Sequence, residues 1–288
     1  MYEHACPVCN ITMKNTIKPW HWACANCGYE KSDFEPAINN TVAHEKIDEQ
    51  QREKGLRALR IANYGKLLDA IEKIRPTSGQ LLDVGCAHGW FLEAAKNRGF
   101  DTLGIEPDQQ FIPIAPQGVS MRQGFFPDVL EETEQFDVIV FNDVLEHMPD
   151  IKTVLSGCKK HLKPGGVLVI NLPSTSGIFY NVARLLSTFG ISSFFSRLWQ
   201  EGFPSPHLHY FNPTNLRLLL QSNGFAEVTN GRLPTLRLRG LFARVSHTGG
   251  HSVLVSLAVT CITAVAIPIV WLMPGDIIYS ISRHDVQK

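Results

Sequence analysis

From residue 81 to residue 173 short apolar stretches alternate with helical ones, and that alternation restricts the fold more than any other feature of the chain. The run "LLDVG" (81–85) leads into a helix around residues 89 to 98, while "DTLGIE" (101–106), "GVSMRQ" (118–123), "FDVIVF" (136–141) and "GGVLVINLP" (165–173) read as buried strands. Strands that are apolar throughout and separated by helices form a mostly parallel sheet covered on both faces, which makes the chain an α/β protein. Ligands in such sheets bind at the carboxyl ends of the strands, so the residues just beyond each strand matter most. A length of 288 residues, 44% of them hydrophobic and 19% charged, suits one large globular domain with a small appendage.

The turn after the first strand carries Gly85, Ala87 and Gly89, spaced G-x-A-x-G, with Asp83 two places ahead. A dinucleotide-binding turn would read G-x-G-x-x-G and rest a pyrophosphate on a helix N-terminus; this spacing fits that pattern poorly. Small residues let a ligand approach the backbone closely without a phosphate. With Asp83 in front, the stretch resembles the first motif of class I S-adenosylmethionine (AdoMet)-dependent methyltransferases, D-x-G-x-G-x-G, with alanine at the middle glycine. Glu106 ends the second strand, 21 positions after Gly85, where an acid can accept hydrogen bonds from ribose hydroxyls. The segment "FDVIVFNDVLEHMPD" resembles the stretch lining the methyl-transfer site in ubiquinone- and menaquinone-pathway methyltransferases, and "LKPGGVLVINLP" and "HLHYFNPTNLRLLLQSNGF" (207–225) resemble the family's later strands. The resemblance covers residues 78–231 and a last strand, "DIIYSISR" (276–283). It implies a Rossmann-like, mostly parallel seven-stranded sheet with helices on both faces. It also implies an AdoMet site built from Asp83, Gly85, Ala87, Gly89, Glu106 and Asn142, with Gly124 and Phe125 toward the adenine.

A methyl donor of this kind has a sulfonium whose charge vanishes on transfer, so alignment of nucleophile, methyl and sulfur is the main requirement. A hydroxyl nucleophile must still lose a proton. Asp143, Glu146 and His147 stand at i, i+3 and i+4, on one face if the segment is helical. Three readings stay open: a capping box with Asp143 as N-cap and Glu146 at N3, His147 as general base, or a divalent cation held near the acceptor as the resemblance implies. His207 and His209 share one face of an extended segment, and His209 is a candidate substrate contact. The expected acceptor is a small molecule, an oxygen of a hydrophobic or lipid-linked substrate. Carbon methylation of a nucleotide-linked sugar, rRNA base methylation and a non-catalytic membrane-bound scaffold are the competing readings. Lysine plus arginine balance aspartate plus glutamate at 27 each, so no nucleic-acid partner is expected.

Upstream, "CPVC" (Cys6, Cys9) and "CANC" (Cys24, Cys27) stand with fourteen residues between the pairs. Two C-x-x-C turns at this spacing make a closed four-thiolate zinc ribbon with no open coordination position, hence a structural site. Asn10 and Gly28 follow the second cysteine of each pair and suit a left-handed turn. Cys86, Cys158 and Cys261 lack ligand spacing and read as packing residues. The start of the chain shows no signal-peptide pattern, which favours the cytoplasm.

The expected organisation is a ribbon over 1–35 and a linker with an amphipathic helix over 36–77. A methyltransferase domain follows over 78–250 with a cover insertion at 174–206, then an apolar helix over 251–275 and a final strand and tail over 276–288. The cover is rich in aromatic residues, as suits a greasy acceptor or an ordinary buried helical pair. Residues 252–273 carry no charge, a length that can span a bilayer. Ser252, Ser256, Thr260 and Thr263 form a weakly polar stripe, Pro268 interrupts the run, and a crossing would strand the last β-strand on the far side. An in-plane or re-entrant membrane helix resolves this, with Arg232, Arg237, Arg239 and Arg244 toward anionic headgroups, and an ordinary buried helix or a true span are the other readings. The ribbon either braces the helical linker or recruits a protein partner, whose identity the sequence does not give.

Overall fold

The computed structural model describes residues 4–37, 49–75, 79–238, 241–242, 245 and 253–284. Asn39, Asn40, Pro76, Thr77, Ser78, Arg239, Arg244 and Ser252 lie outside the described residues. Strands β4 (Gly79–Val84), β5 (Phe100–Glu106), β6 (Ser120–Gln123), β7 (Phe136–Asn142), β8 (Leu162–Pro173), β10 (Phe225–Leu233) and β11 (Ile277–His284) form one seven-stranded sheet. Their order is β10-β11-β8-β7-β4-β5-β6. The pairs from β8 to β6 are parallel, and β11 runs antiparallel to both β8 and β10.

The continuous apolar runs follow from burial of both faces. Along β7, Val138 and Val140 face one cluster with Leu67, Leu68 and Ile71 of α1 (Glu49–Glu72) and Phe91 and Leu92 of α2 (Trp90–Lys96). Ile139 and Phe141 face the other, with Val154, Leu155 and Cys158 of α3 (Ile151–His161) and Leu216 and Leu219 of α6 (Pro213–Ser222). Helix α3 starts where Asp150 accepts from the Lys152 and Thr153 amides, and Ile151, Val154, Leu155 and Cys158 then recur at the spacing that buries one stripe.

A second sheet joins β1 (Lys14–Asn15), β2 (His21–Ala23) and β3 (Glu30–Ser32) of the cysteine-bearing ribbon to β9 (His209–Tyr210), in the order β1-β2-β3-β9. The ribbon is therefore continued by a strand from far down the chain. A third apolar cluster lies beside it. Tyr180 of α4 (Ile178–Thr188), Phe195 of α5 (Ser193–Leu198), Trp199 and Tyr210 bury their rings against Ile17, Trp20 and Phe34. The 174–206 segment thus packs its large aromatics on the ribbon, while Leu185, Phe189 and Phe194 remain exposed.

Helix α7 (Val253–Leu272) departs from β10 and leads back to β11. Its polar Ser256 is buried, whereas Val253, Leu254, Ile262, Val265 and Leu272 are exposed, the reverse of the usual arrangement for a helix in water. Among the described residues no helix is long and apolar enough to cross a membrane. Topology gives a separate reason against a single crossing, since β10 and β11 pair with each other in one sheet.

Candidate active site

One cavity of about 490 Å³ opens at the carboxyl ends of β4, β5 and β7. Its floor begins with the turn after β4. Gly85 adopts φ 70°, and a Cβ there would stand 2.6 Å from Val144 Cγ2, so glycine is required by both conformation and space. Gly89 caps α2 at φ 69°. Ala87, at the position where the resembled motif has glycine, also adopts a left-handed φ of 43°. Its amide donates to Glu106 Oε2 at 2.8 Å, and the Asp108 amide donates to Oε1 at 2.9 Å. Two backbone donors thus aim the Glu106 carboxylate at the cavity it lines. Burial pushes its pKa up to about 7, against the pull of those two amides.

Asp83 lies beside it, 2% exposed. Burial raises this carboxyl to about 8, with the Glu106 charge adding to the rise and the Asn142 hydrogen bond opposing it. Asn142 Nδ2 donates to Asp83 Oδ1 at 3.0 Å, and Asn171 Nδ2 donates to Asn142 Oδ1 at 2.8 Å. This relay crosses three adjacent strands and orients each amide. Gly124 and Phe125 line the same cavity, the latter 56% exposed at its rim. Asp83, Gly85, Ala87, Glu106, Gly124, Phe125 and Asn142 are therefore brought to one cavity, while Gly89 shapes the turn beneath it.

The structure corrects the helical reading of 143–147. Asp143 sits at φ 54°, and Leu145–His147 form a single 3₁₀ turn whose N-cap, Val144, makes no side-chain cap. Asp143 is not the N-cap of this turn; its Oδ2 lies 3.9 Å from Arg60 of α1. The α-helix starts only after Pro149, under the Asp150 cap. His147 lines the cavity, and its Nδ1–H donates to the Pro206 carbonyl at 2.8 Å, which leaves the lone pair of the neutral ring on Nε2. Glu146 is fully buried behind it, with Oε1 3.9 Å from His147 Nε2. Among the described residues neither Glu146 oxygen has a hydrogen-bond partner, and burial together with the Asp143 charge pushes the carboxyl well above its ordinary range.

His209 stands outside the cavity lining. Its Nε2–H donates to the Met148 carbonyl at 2.9 Å and its Nδ1 accepts from the Tyr29 hydroxyl, so both ring nitrogens serve the protein. Burial holds its pKa down at about 4. His207 comes closer to the chemistry: its ring centroid lies 4.7 Å from that of His147. Sequence reasoning missed Arg60 and Tyr64 of α1 and Pro204 and Ser205, all in the cavity wall. Their positions depend on long-range docking that no local pattern announces.

Among the described residues two side-chain clusters suit metal ions. The Sγ atoms of Cys6, Cys9, Cys24 and Cys27 lie within 4.8 Å of one another, with Cys6–Cys27 and Cys9–Cys24 each at 3.5 Å. Zinc–sulfur bonds of about 2.3 Å in a tetrahedron give sulfur separations of about 3.8 Å, so the four thiols fit zinc. Asn10 at φ 60° and Gly28 at φ 71° make the left-handed turns of the knuckles. The second cluster joins Glu146, His147 and His207, not Asp143, within the same 4.8 Å. The orphaned Glu146 carboxylate and two imidazoles form a donor set suited to a transition metal rather than to magnesium.

This sheet, with a glycine turn and an acid at the ends of its first two strands, has the architecture of class I AdoMet-dependent methyltransferases. Solved SAM-dependent methyltransferases share it: one from Thermotoga maritima aligns at TM-score 0.54 and 16% identity over 82% of this chain and 96% of that chain. Another, from Archaeoglobus fulgidus, aligns at 0.53 and 17% over 82% and 99%. The chain belongs to the methyltransferase-domain family, whose model matches residues 48–230. Within it, the chain is similar to ubiquinone biosynthesis O-methyltransferases. The human mitochondrial enzyme is 29% identical over 52% of this chain and 42% of its own length. That of Pseudomonas syringae pv. tomato is 37% identical over 33% and 44%. The chain spans less than half the length of these relatives.

Proposed function

We propose that this protein transfers the AdoMet methyl group to a ring oxygen of a hydrophobic, quinone-like acceptor carrying a lipid tail. The observation that carries the reading is the single cavity in which an AdoMet-type cradle, Asp83, Glu106 and Asn142, meets His147, Met148 and Phe203 without an intervening wall. Glu106 accepts hydrogen bonds from the ribose hydroxyls, and the Asp83–Asn142–Asn171 relay holds the cofactor's polar end. His147 Nε2 takes the proton of the acceptor hydroxyl as the oxygen attacks the methyl carbon and the carbon–sulfur bond breaks. The Pro206 carbonyl holds the ring in its reactive tautomer and still accepts from Nδ1–H in the imidazolium so formed. A divalent cation held by Glu146, His147 and His207, whose donor atoms fit one, would take the place of His147 as base and lower the hydroxyl pKa as a Lewis acid.

The similarity to ubiquinone biosynthesis O-methyltransferases supports a quinone-like ring. The exposed apolar surfaces of α4, α5 and α7 support a lipid tail and in-plane contact with a membrane. The test is transfer of label from AdoMet to a prenylated dihydroxybenzene embedded in liposomes, comparing the wild type with His147→Ala. Transfer reduced by about 10²–10⁴ in the variant supports the reading. Wild type that binds S-adenosylhomocysteine but methylates no hydroxylated ring refutes it.

A further inference from the structure

Beside its apolar packing on the cover and on α6, the ribbon is hydrogen-bonded to the acceptor half of the cavity through one short segment. Residues 204–210 lie between the ribbon and the 145–149 turn. On the ribbon side, β3 pairs with β9, matching Glu30 with Tyr210 and Lys31 with His209. The Ser32 amide donates to the Leu208 carbonyl at 3.0 Å and its hydroxyl to the His207 carbonyl at 2.8 Å. The Ala37 amide donates to the Pro204 carbonyl at 2.8 Å. On the catalytic side, the Leu208 amide donates to the Glu146 carbonyl at 2.7 Å, His147 Nδ1 to the Pro206 carbonyl, and His209 Nε2 to the Met148 carbonyl.

The cysteine knuckles hold the far end of this arrangement. Tyr29, two residues after Cys27, donates its hydroxyl to His209, and the Cys27 carbonyl accepts from Asn212 and Asn215 at the start of α6. Behind β3, the buried Glu30 accepts from His21 Nε2 at 2.7 Å and from the Tyr180 hydroxyl, while Arg184 lies 3.4 Å away. The cover helix is therefore tied to the same strand. The AdoMet half is built differently. Asp83, Glu106 and Asn142 hang on β4, β5 and β7 and take their hydrogen bonds from Ala87, Asp108 and Asn171, none of them in the ribbon.

We infer that the zinc-bound ribbon backs the acceptor site from behind residues 204–210, and that its metal positions His147 through that segment while leaving the AdoMet half independent. Zinc ribbons of this size owe their fold to the metal, so loss of zinc releases β3 and with it the segment that orients His147. Tyr29, Ser32 and Pro206 are positioning residues on this reading. Its catalytic consequence rests on the acceptor assignment above, but the connection itself can be read without any acceptor.

The test compares the full-length zinc-loaded protein with the chelator-stripped protein by hydrogen–deuterium exchange, with S-adenosylhomocysteine titrated by calorimetry as the probe of the other half. Stripping is expected to speed exchange in 204–210 and 145–149 by tenfold or more, leave β4 and β5 protected, and change S-adenosylhomocysteine affinity less than twofold. Nitrogen-15 spectra of the histidine rings should show His147 passing from one tautomer to a mixture. Tyr29→Phe keeps every cysteine and a folded ribbon, and should reproduce a weaker form of the same local change. Unaltered protection of 204–210 after stripping overturns the inference. So does parallel loss of β4–β5 protection and S-adenosylhomocysteine binding, which would make the ribbon a support of the whole domain.

Discussion

Replacing Glu106 by glutamine separates what this acid does for the fold from what it does for the cofactor. Its folded pKa of about 7 lies above the ordinary 4.5, so the unfolded chain releases this proton first. The folded state is favoured at low pH, and that advantage is lost as pH rises from about 4.5 to about 7, a cost of about 3 kcal/mol above neutrality. Glutamine removes the charge and with it this cost. It cannot reproduce both hydrogen bonds, because the Ala87 and Asp108 amides each need an acceptor and the side-chain amide has only one. One amide left facing a donor costs about 1–3 kcal/mol, so the net gain in apo stability is about 1 kcal/mol, a rise of about 2–4 °C in Tm. Binding moves the opposite way. Two charge-assisted hydrogen bonds to ribose hydroxyls are worth about 1.5–3 kcal/mol each, so the Kd for S-adenosylhomocysteine rises about 100-fold or more. Thermal denaturation at pH 6 and pH 8, paired with calorimetric titration, reads both effects. A variant that binds within threefold of wild type refutes the ribose role; one that loses Tm at pH 8 refutes the desolvation argument.

Three further outcomes follow from the same site. Wild-type affinity for S-adenosylhomocysteine should fall about tenfold between pH 8 and pH 6, because the bound form needs Glu106 ionised and its proton leaves near pH 7; a flat profile by calorimetry contradicts this. Ala87→Gly relieves a left-handed alanine at about 1–2 kcal/mol but adds about 0.5–1 kcal/mol of backbone entropy, so Tm should rise by about 1–2 °C in a melting scan. Asn142→Leu leaves the buried Asp83 carboxyl without its donor and should cost about 1–3 kcal/mol in denaturant unfolding at neutral pH.

Much of the sheet was legible because burial of both faces writes itself as uninterrupted apolar runs, and the glycine turn because positive φ and a 2.6 Å clearance leave no other residue at position 85. The cysteine spacing carried the ribbon for the same local reason. The 143–147 segment misled because Asp-x-x-Glu-His satisfies a helical spacing, while Pro149 and the Asp150 cap, a few residues on, claim the helix start for themselves. His209 misled in another way. Its two ring nitrogens are taken by Tyr29 and Met148, partners 180 and 61 residues away, and a two-residue strand such as β9 leaves no periodicity to read. The role of α1 as a cavity wall through Arg60 and Tyr64 is likewise a product of docking.

The two strands flanking α7 have a mechanical meaning. A helix hung from one strand swivels on its linker. Helix α7 instead starts after one edge-side strand and returns into its immediate neighbour, and the returning stem is pinned where Asp276 accepts the Phe179 and Tyr180 amides. The stem into β11 is thus fastened to the cover helix. A body that grips α7 thereby takes hold of the cover and of the sheet together, through the stem at Asp276.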